Sequence, residues 1–388
     1  MRGEAGREMR RHNRSSVLTT LYHGGPSSRV ELSDATGLSC SVVSRVVADL
    51  LANQVIRTAG AADSRGGRPR ILVEVNPAYG SVAGVDVTEE SVQIGLYDLT
   101  LRQQAVSHFR APETLTDVGA LSQRIIAGLR SVERAAKTNR GAIIGAGVAV
   151  AGPLGMTDGA ELAAELADRS GLRIVLGDNR VRSLARAEGW LGAAGKPGRT
   201  AVVVLEAEAH IVLVENRLIE WSGEWGHTTL VFDGRPCRCG SRGCAETYIG
   251  ATGVLERHRQ LSGGTPKPGS KAGRRLLTAP QPGLAQETVG YLGASIVSMS
   301  NLLMPERVVL TGWFGRALSE RHLGELREYV AKNAFRPTAV EAGISTAATA
   351  RIGAAALPVC AFLKYGLDPR KVKPLENGRP TGFPLEVP

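Results

Sequence analysis

Three of the five cysteines, Cys237, Cys239 and Cys244, stand in a C-x-C-x4-C pattern, with His227 ten residues upstream of the first. They belong to one stretch, Gly223 to Glu246, reading GEWGHTTLVFDGRPCRCGSRGCAE. Three thiolates and one imidazole are the ligand set of a closed tetrahedral zinc site. Gly240 and Gly243 let a short loop fold back so that the sulfurs converge. A disulfide framework is a poor alternative in a chain otherwise so poor in cysteine. The expected cofactor is one structural Zn2+ per chain on His227, Cys237, Cys239 and Cys244, with no open position for an activated water.

Larger elements must carry such a loop, and 388 residues suffice for two or three units. Apolar residues make up 43% of the chain and aromatic residues 4%, enough for sizeable cores. No apolar run reaches the length of a membrane-spanning helix, so no membrane partner is expected. The opening MRGEAGREMRRHNRSS is charged and lacks the apolar segment of a secretory signal. Thiols suited to metal fit a reducing cytoplasm. The net charge of +10 hints at a polyanionic partner. Residues 1–70 hold eleven arginines against six acids, a net +5, half the total in under a fifth of the chain.

That basic segment has the pattern of a DNA-binding module. Val17, Leu18 and Leu21 form an apolar stripe on a helix from Glu8 to about Tyr22, and Gly24-Gly25-Pro26 stops it. Ser28 with Glu31 makes a capping box for a short helix over Arg29–Thr36. Gly37 turns the chain, and Ser39 caps a third helix from Cys40 to about Asn53, whose Val43, Val46, Val47 and Leu50 form the core face. Cys40, Ser41, Val42, Ser44 and Arg45 are left at its outward start. This is a helix-turn-helix whose second helix would enter the major groove. Val55–Val75 adds two strands around ADSRGGRPR, a basic wing in which Arg65 and Arg68 could reach a minor groove or phosphates. The candidate DNA contacts are Arg29, Ser39, Cys40, Ser41, Val42, Ser44, Arg45, Arg65 and Arg68; Val42 would offer a methyl contact to thymine. The competing reading is a helical oligomerisation module with merely solvated arginines.

Asn76-Pro77-Ala78-Tyr79-Gly80 marks a boundary by its turn chemistry. Strands are expected at Val82–Val87, Val92–Tyr97, about Gln104–Phe109 and Ala146–Val150, with a helix from Asp117 to about Lys137. A second series has strands at Ala201–Leu205, Ile211–Val214 and Arg307–Leu310, with helices at about Leu284–Leu303 and Leu318–Ala334. The repeated order implies two related α/β lobes around a cleft. The expected domains are 1–75 as the winged helix-turn-helix, 81–195 and 196–364 as the lobes, and 365–388 as a mobile tail. Ser262–Gly283 reads as a Pro/Gly/basic insert.

Taken together, these residues resemble a transcriptional regulator of the ROK family (repressor, open reading frame, kinase) over nearly the whole length. The head matches through HNRSSVL, ATGLSCSVVSRVVADLL and GGRP; the body matches through GVAVAGP, LARAEGWLG, GEWGH with CRCGSRGC, and IGAAAL. The zinc box is the most specific of these. The resemblance implies a two-lobed actin/hexokinase-like, RNase-H-like body with a sugar cleft. It also implies the zinc ligands named above and sugar-contacting acids at Glu224 and Glu246. Many of the family's enzymes phosphorylate hexoses, and many of its regulators release DNA when a sugar binds. Regulators of the family are typically homodimers or homotetramers on symmetric operators.

The kinase members' chemistry is not expected here. Their D-x-G-G-T phosphate loop falls on Asp86-Val87-Thr88-Glu89-Glu90, and their second, G-T-G-like loop on Leu205-Glu206-Ala207-Glu208-Ala209. Carboxylates beside a triphosphate repel it by about 4 kcal/mol per pair at an effective dielectric near 20. The catalytic Asp of N-D-A-N falls on Arg180 in Asn179-Arg180-Val181-Arg182, and a guanidinium accepts no proton at neutral pH. No ATP binding is expected. The candidate ligand residues are Asn179, Arg180, Glu224, His227 and Glu246. The family's N-L-x-W loop has no counterpart between Pro153 and Val175, which leaves three effector outcomes open: an altered sugar, a sugar phosphate drawn by the Arg180 charge, or none. The alternatives to a regulator are a sugar kinase with a fused DNA-binding domain and an interaction protein with an incidental basic N-terminus.

Overall fold

The computed structural model describes residues 2–62, 69–111, 117–151, 159–172, 174–262 and 282–365. Arg65 and Arg68, most of the expected insert, the stretch 152–158 and the tail after Tyr365 lie outside the described residues.

The chain opens with helix α1 (Arg2–Gly24), which buries the expected Val17, Leu18 and Leu21. After the two-residue strand β1 (Ser27–Ser28), helix α2 (Arg29–Thr36) starts on a reciprocal cap. The Glu31 amide donates to Ser28 Oγ at 3.4 Å, and the Ser28 amide donates to Glu31 Oε2 at 2.7 Å. Gly37 takes a left-handed φ of 68° and ends α2. Helix α3 (Cys40–Ala52) is capped by Ser39, whose side chain accepts from the Val42 amide. Val43, Val47 and Leu50 are fully buried, whereas Val46 is only half-buried and sits at the margin of the expected core face. Strands β2 (Ile56–Ala62) and β3 (Arg70–Val75) pair antiparallel, and β1 adds to the other edge of β3. Helices α1, α2 and α3 pack on one another and onto this ribbon.

Strands β4 (Ser81–Val87), β5 (Ser91–Asp98) and β6 (Gln103–Arg110) form an antiparallel meander. Helix α4 (Val118–Ala135) leads to β7 (Ile143–Val150), and α5 (Ala160–Ser170) leads to β8 (Val175–Asn179). β7 and β8 run parallel, and β7 also pairs parallel with β4, giving the order β6-β5-β4-β7-β8. All seven positions of β4 are buried, as a central strand covered on both faces requires.

Helix α6 (Arg180–Leu191) precedes a second sheet of the same design. Strands β9 (Arg199–Leu205), β10 (Ala209–Glu215) and β11 (Leu218–Gly223) form its meander. The short α7 (Glu246–Ile249), then α8 (Ala251–Ser262) and α9 (Pro282–Leu303), lead to β12 (Arg307–Thr311). Helix α10 (Gly312–Asn333) leads to β13 (Ala339–Ala342). The order β11-β10-β9-β12-β13, with β9, β12 and β13 parallel, repeats the first sheet strand for strand. Helix α11 (Thr349–Tyr365) closes the described chain.

Packing separates the chain into two compact units, residues up to Arg180 with α11 from Ala354 onward, and residues 181–353. Helix α6, which the sequence places in the first lobe, packs with the second unit because Leu184 and Ala185 are buried with Val202, Val204 and Val212. The end of α11 returns to the first unit. There it runs so close to β7 that a Cβ on Gly147 would lie 1.8 Å from the Ala354 carbonyl oxygen.

Candidate DNA-reading head, metal centre and cleft residues

In the head, the chain bends by 118° between α2 and α3, within the range of a helix-turn-helix. Val43, Val47 and Leu50 hold α3 to the core, so its opposite face is free to project. Ser39, Cys40, Ser41, Ser44 and Arg45 are exposed there, and Val42 is half-buried. Ser39 Oγ and Ser41 Oγ lie 3.0 Å apart, and the Cys40 thiol donates to Ser33 Oγ at 3.4 Å. Arg29 is half-buried at the start of α2. An ion pair between Arg14 and Asp49 ties α1 to α3 and fixes the angle at which α3 is presented.

The cysteine loop follows β11. Its hairpin is held by main-chain bonds from the Leu230 amide to the Gly243 carbonyl (2.8 Å) and from the Cys237 amide to the Ser241 carbonyl (2.9 Å). Gly243 has φ of 77°, and a Cβ there would fall 1.7 Å from the Val231 carbonyl oxygen, so only glycine fits this crossing. The result gathers one donor atom each from His227, Cys237, Cys239 and Cys244, all within 4.8 Å of one another. Cys239 Sγ is 3.7 Å from Cys244 Sγ, and Cys237 Sγ is 3.6 Å from His227 Nδ1. A tetrahedron with metal–sulfur arms of about 2.3 Å has edges of about 3.8 Å, so these separations suit a four-coordinate ion. Burial pushes the Cys237 thiol up to about 12, while the Ser241 main chain holds Cys239 down to about 7. His227 presents Nδ1 to this cluster and Nε2 toward Glu224, 3.9 Å from its Oε2.

The remaining candidate ligand residues fall in two groups, one in each unit. In the first unit, Asn179 ends β8 and its amide donates to Asp178 Oδ1 at 2.9 Å. Arg180 Nε donates to Asp86 Oδ1 at 2.8 Å, and Asp86 is 2% exposed. The guanidinium is therefore engaged by Asp86, the residue on which the family's first phosphate loop was expected to begin. That partner, 94 positions earlier in the chain, was not deducible from spacing. In the second unit, Glu224 is 75% exposed on its side chain, whereas Glu246 is 7% exposed. Glu246 Oε1 accepts from the Cys237 thiol at 3.1 Å and from Arg238 Nε at 3.2 Å. Arg238 also pairs with Glu208 at 2.8 Å, so one arginine of the cysteine loop bridges two carboxylates. Arg238 is not among the residues that spacing points to; its place between two cysteines of the cluster is its signal in the sequence.

The stretch expected to match the family's second phosphate loop is the β9–β10 turn. The Ala251 amide donates to the Glu206 carbonyl at 2.9 Å and the Thr252 amide to the Ala207 carbonyl at 3.1 Å, so the first two amides of α8 are bonded to the turn. Among the described residues no single helix is long and apolar enough to cross a membrane.

This two-lobed body with its cysteine box defines the class of protein. The ROK family model matches residues 82–361, and the chain belongs to the ROK family. Among its curated relatives is a xylose repressor of Caldicellulosiruptor bescii, 24% identical over 365 residues that span 83% of this chain and 88% of the relative. Another is the DNA-binding transcriptional dual regulator NagC of Escherichia coli, 24% identical over 333 residues, 77% and 80% of the two chains. In fold, the chain is similar to a crystal structure of a ROK family transcriptional regulator described as a homolog of the E. coli MLC protein. That match has a TM-score of 0.73 and 19% identity, and covers 92% of this chain and 97% of the other. The ROK hexokinase from Thermus thermophilus matches at a TM-score of 0.58 and 21% identity, covering 98% of its own length but 72% of this chain. The fold thus extends beyond the kinase body to a length that the regulator shares.

Proposed function

We propose that this protein is a sequence-specific, DNA-binding transcriptional regulator whose residues 1–75 read an operator and whose body no longer phosphorylates sugars. The observation that carries this reading is the 118° turn between α2 and α3, with the polar start of α3 exposed beside a two-stranded wing. Ser39, Ser41, Ser44 and Arg45 supply hydrogen-bond donors there, Cys40 and Val42 smaller contacts, and Arg29, Arg65 and Arg68 supply charge. The names of the repressor relatives support the same reading. The absence of kinase activity is argued from Arg180, which occupies the position of the base and is bonded to Asp86, and from Glu206 and Glu208 in the second phosphate loop.

The ion that suits the cysteine cluster is Zn2+, which takes thiolate and imidazole nitrogen at the observed spacings. Its role is structural: it fixes the loop that bears Arg238 and sets the direction of the His227 ring toward Glu224. The candidate contacts for a small-molecule effector of the sugar class are Glu224, His227 and Glu246 within the second unit; Asn179 belongs to the first. Pairing of Arg180 with Asp86 weakens the case for a sugar phosphate drawn by that charge. A homodimer or homotetramer on a two-fold operator completes the proposal.

The test is a gel-shift titration on operator fragments recovered by genome-wide mapping of bound DNA. Arg45→Ala is expected to weaken binding by about 1–3 kcal/mol if it reads a base, or to flatten the salt dependence by about one ion if it holds a phosphate. Unchanged affinity and unchanged salt slope would overturn the assignment of α3.

A further inference from the structure

Beside the cysteine loop, within the second unit, a cleft of about 230 Å³ opens between the β9–β10 turn, the loop itself and one face of α8. That is below the roughly 300–1,000 Å³ of pockets that hold drug-sized ligands, so an occupant is small. The charges around it are arranged unevenly. At one end Glu208 and Glu246 share the single guanidinium of Arg238, at 2.8 and 3.2 Å. At the other end Arg235 and Arg257 share the single carboxylate of Glu287. Glu256, which also lines the cleft, is taken up by Arg259, so among the arginines and carboxylates the first end carries a surplus negative charge and the second a surplus positive one.

Two further observations point to a ligand. Glu246 is 7% exposed and lines the cleft, yet its Oε2 is buried without a hydrogen-bond partner. A buried carboxylate oxygen left unmet costs about 1–3 kcal/mol or more, a cost that a donor in the cleft would remove. Among the described residues Arg257 pairs through Nε alone, at 3.2 Å, and also lines the cleft. A nucleotide is a poor fit, because the α8 amides that would cradle a phosphate are already bonded to the turn.

We infer that this cleft binds a small zwitterion, its ammonium directed to Glu246 and Glu208 and its anionic group to Arg257 and Arg235. Opposite charges on one small molecule match both ends at once, whereas a simple anion or cation satisfies one end and is repelled by the other. Arg238 is the internal competitor for the ammonium, and its side chain, 57% exposed, has room to swing aside. At Glu246 the zwitterion takes the place of the sugar-class effector considered above; the inference does not depend on the DNA reading, because binding is measured on the protein alone.

The experiment is isothermal titration calorimetry of the full chain with β-alanine, γ-aminobutyrate and ε-aminocaproate, against butyrate and butylamine as single-charge controls. At least one amino acid of the series is expected to bind, with the controls weaker by about tenfold or more. Glu208→Gln and Arg257→Gln should each weaken it by about tenfold, with unchanged melting curves and metal content. Either of two results overturns the inference: no amino acid binds up to tens of millimolar, or a single-charge control binds as tightly as the best zwitterion. Equal binding by wild type and both variants overturns it as well, since the ligand would then sit elsewhere. DNA binding by the same samples tests the regulator reading separately.

Discussion

At the scale of single residues, one buried carboxylate of the body is informative through the partners that hold it. Glu188 in α6 is fully buried; its Oε1 accepts from Thr311 Oγ1 at 2.7 Å and from the Ile344 amide at 2.8 Å, while its Oε2 has no partner. Burial pushes its carboxyl up to about 6 from an ordinary 4.5, against the opposing pull of those two bonds. The folded chain therefore holds this proton more tightly than the unfolded chain does. The associated stability is fully present below about 4.5 and is lost as pH rises through about 6. The gap corresponds to about 2 kcal/mol. Urea titrations at both ends of that window should show wild type losing stability relative to Glu188→Gln as pH increases; parallel pH profiles would refute the assignment. The metal cluster gives a second expectation. Purified reduced protein should carry one zinc per chain, and Cys244→Ser, which removes the most buried ligand, should abolish stoichiometric zinc and lower the melting temperature. Metal analysis finding none in the wild type would refute the centre.

At the scale of elements, the head and the cysteine loop were the parts most legible in the sequence, and for one reason: their determinants are local. The Ser28–Glu31 box, the Ser39 cap and the glycine at position 37 each act within four residues, and C-x-C-x4-C needs only a tight loop. Five of the six strands of the two meanders, all but β11, were visible as apolar runs. Helices α5, α8 and α11 and strands β8, β11 and β13 were not, because their faces are set by partners far along the chain. Helix α6 is the clearest case: the residues around Arg180 suggested its site, but only burial of Leu184 and Ala185 against β9 and β10 shows which unit it packs with. The same logic makes Gly147 sensitive. Gly147→Ala puts a methyl where β7 meets the Ala354 carbonyl at 1.8 Å, and overpacking of this kind costs about 1–3 kcal/mol. Chemical denaturation should show that loss, whereas Gly171→Ala, with open space around it but a φ of 70°, should lose only the smaller cost of a left-handed alanine, about 1 kcal/mol.

At the scale of the whole molecule, each of the two units carries a five-stranded sheet of the same strand order, and the first unit also carries the proposed reading head. The head belongs to the first unit, where Arg11 lies over the Tyr365 ring at 5.7 Å, at the far end of α11. The proposed two-fold assembly would present two copies of α3. Nuclease footprinting on a bound fragment should then reveal paired half-sites about one helical turn apart, or a multiple of it. A single asymmetric footprint bound by one chain would count against that assembly.

The bond between Arg180 and Asp86 also limits what one substitution can do here. Placing aspartate at position 180 alone would set two carboxylates against each other in a buried setting, at a cost of several kcal/mol. On the proposed reading, a phosphotransferase could not be rebuilt from this chain by that one replacement, because the pair locks the two positions to each other.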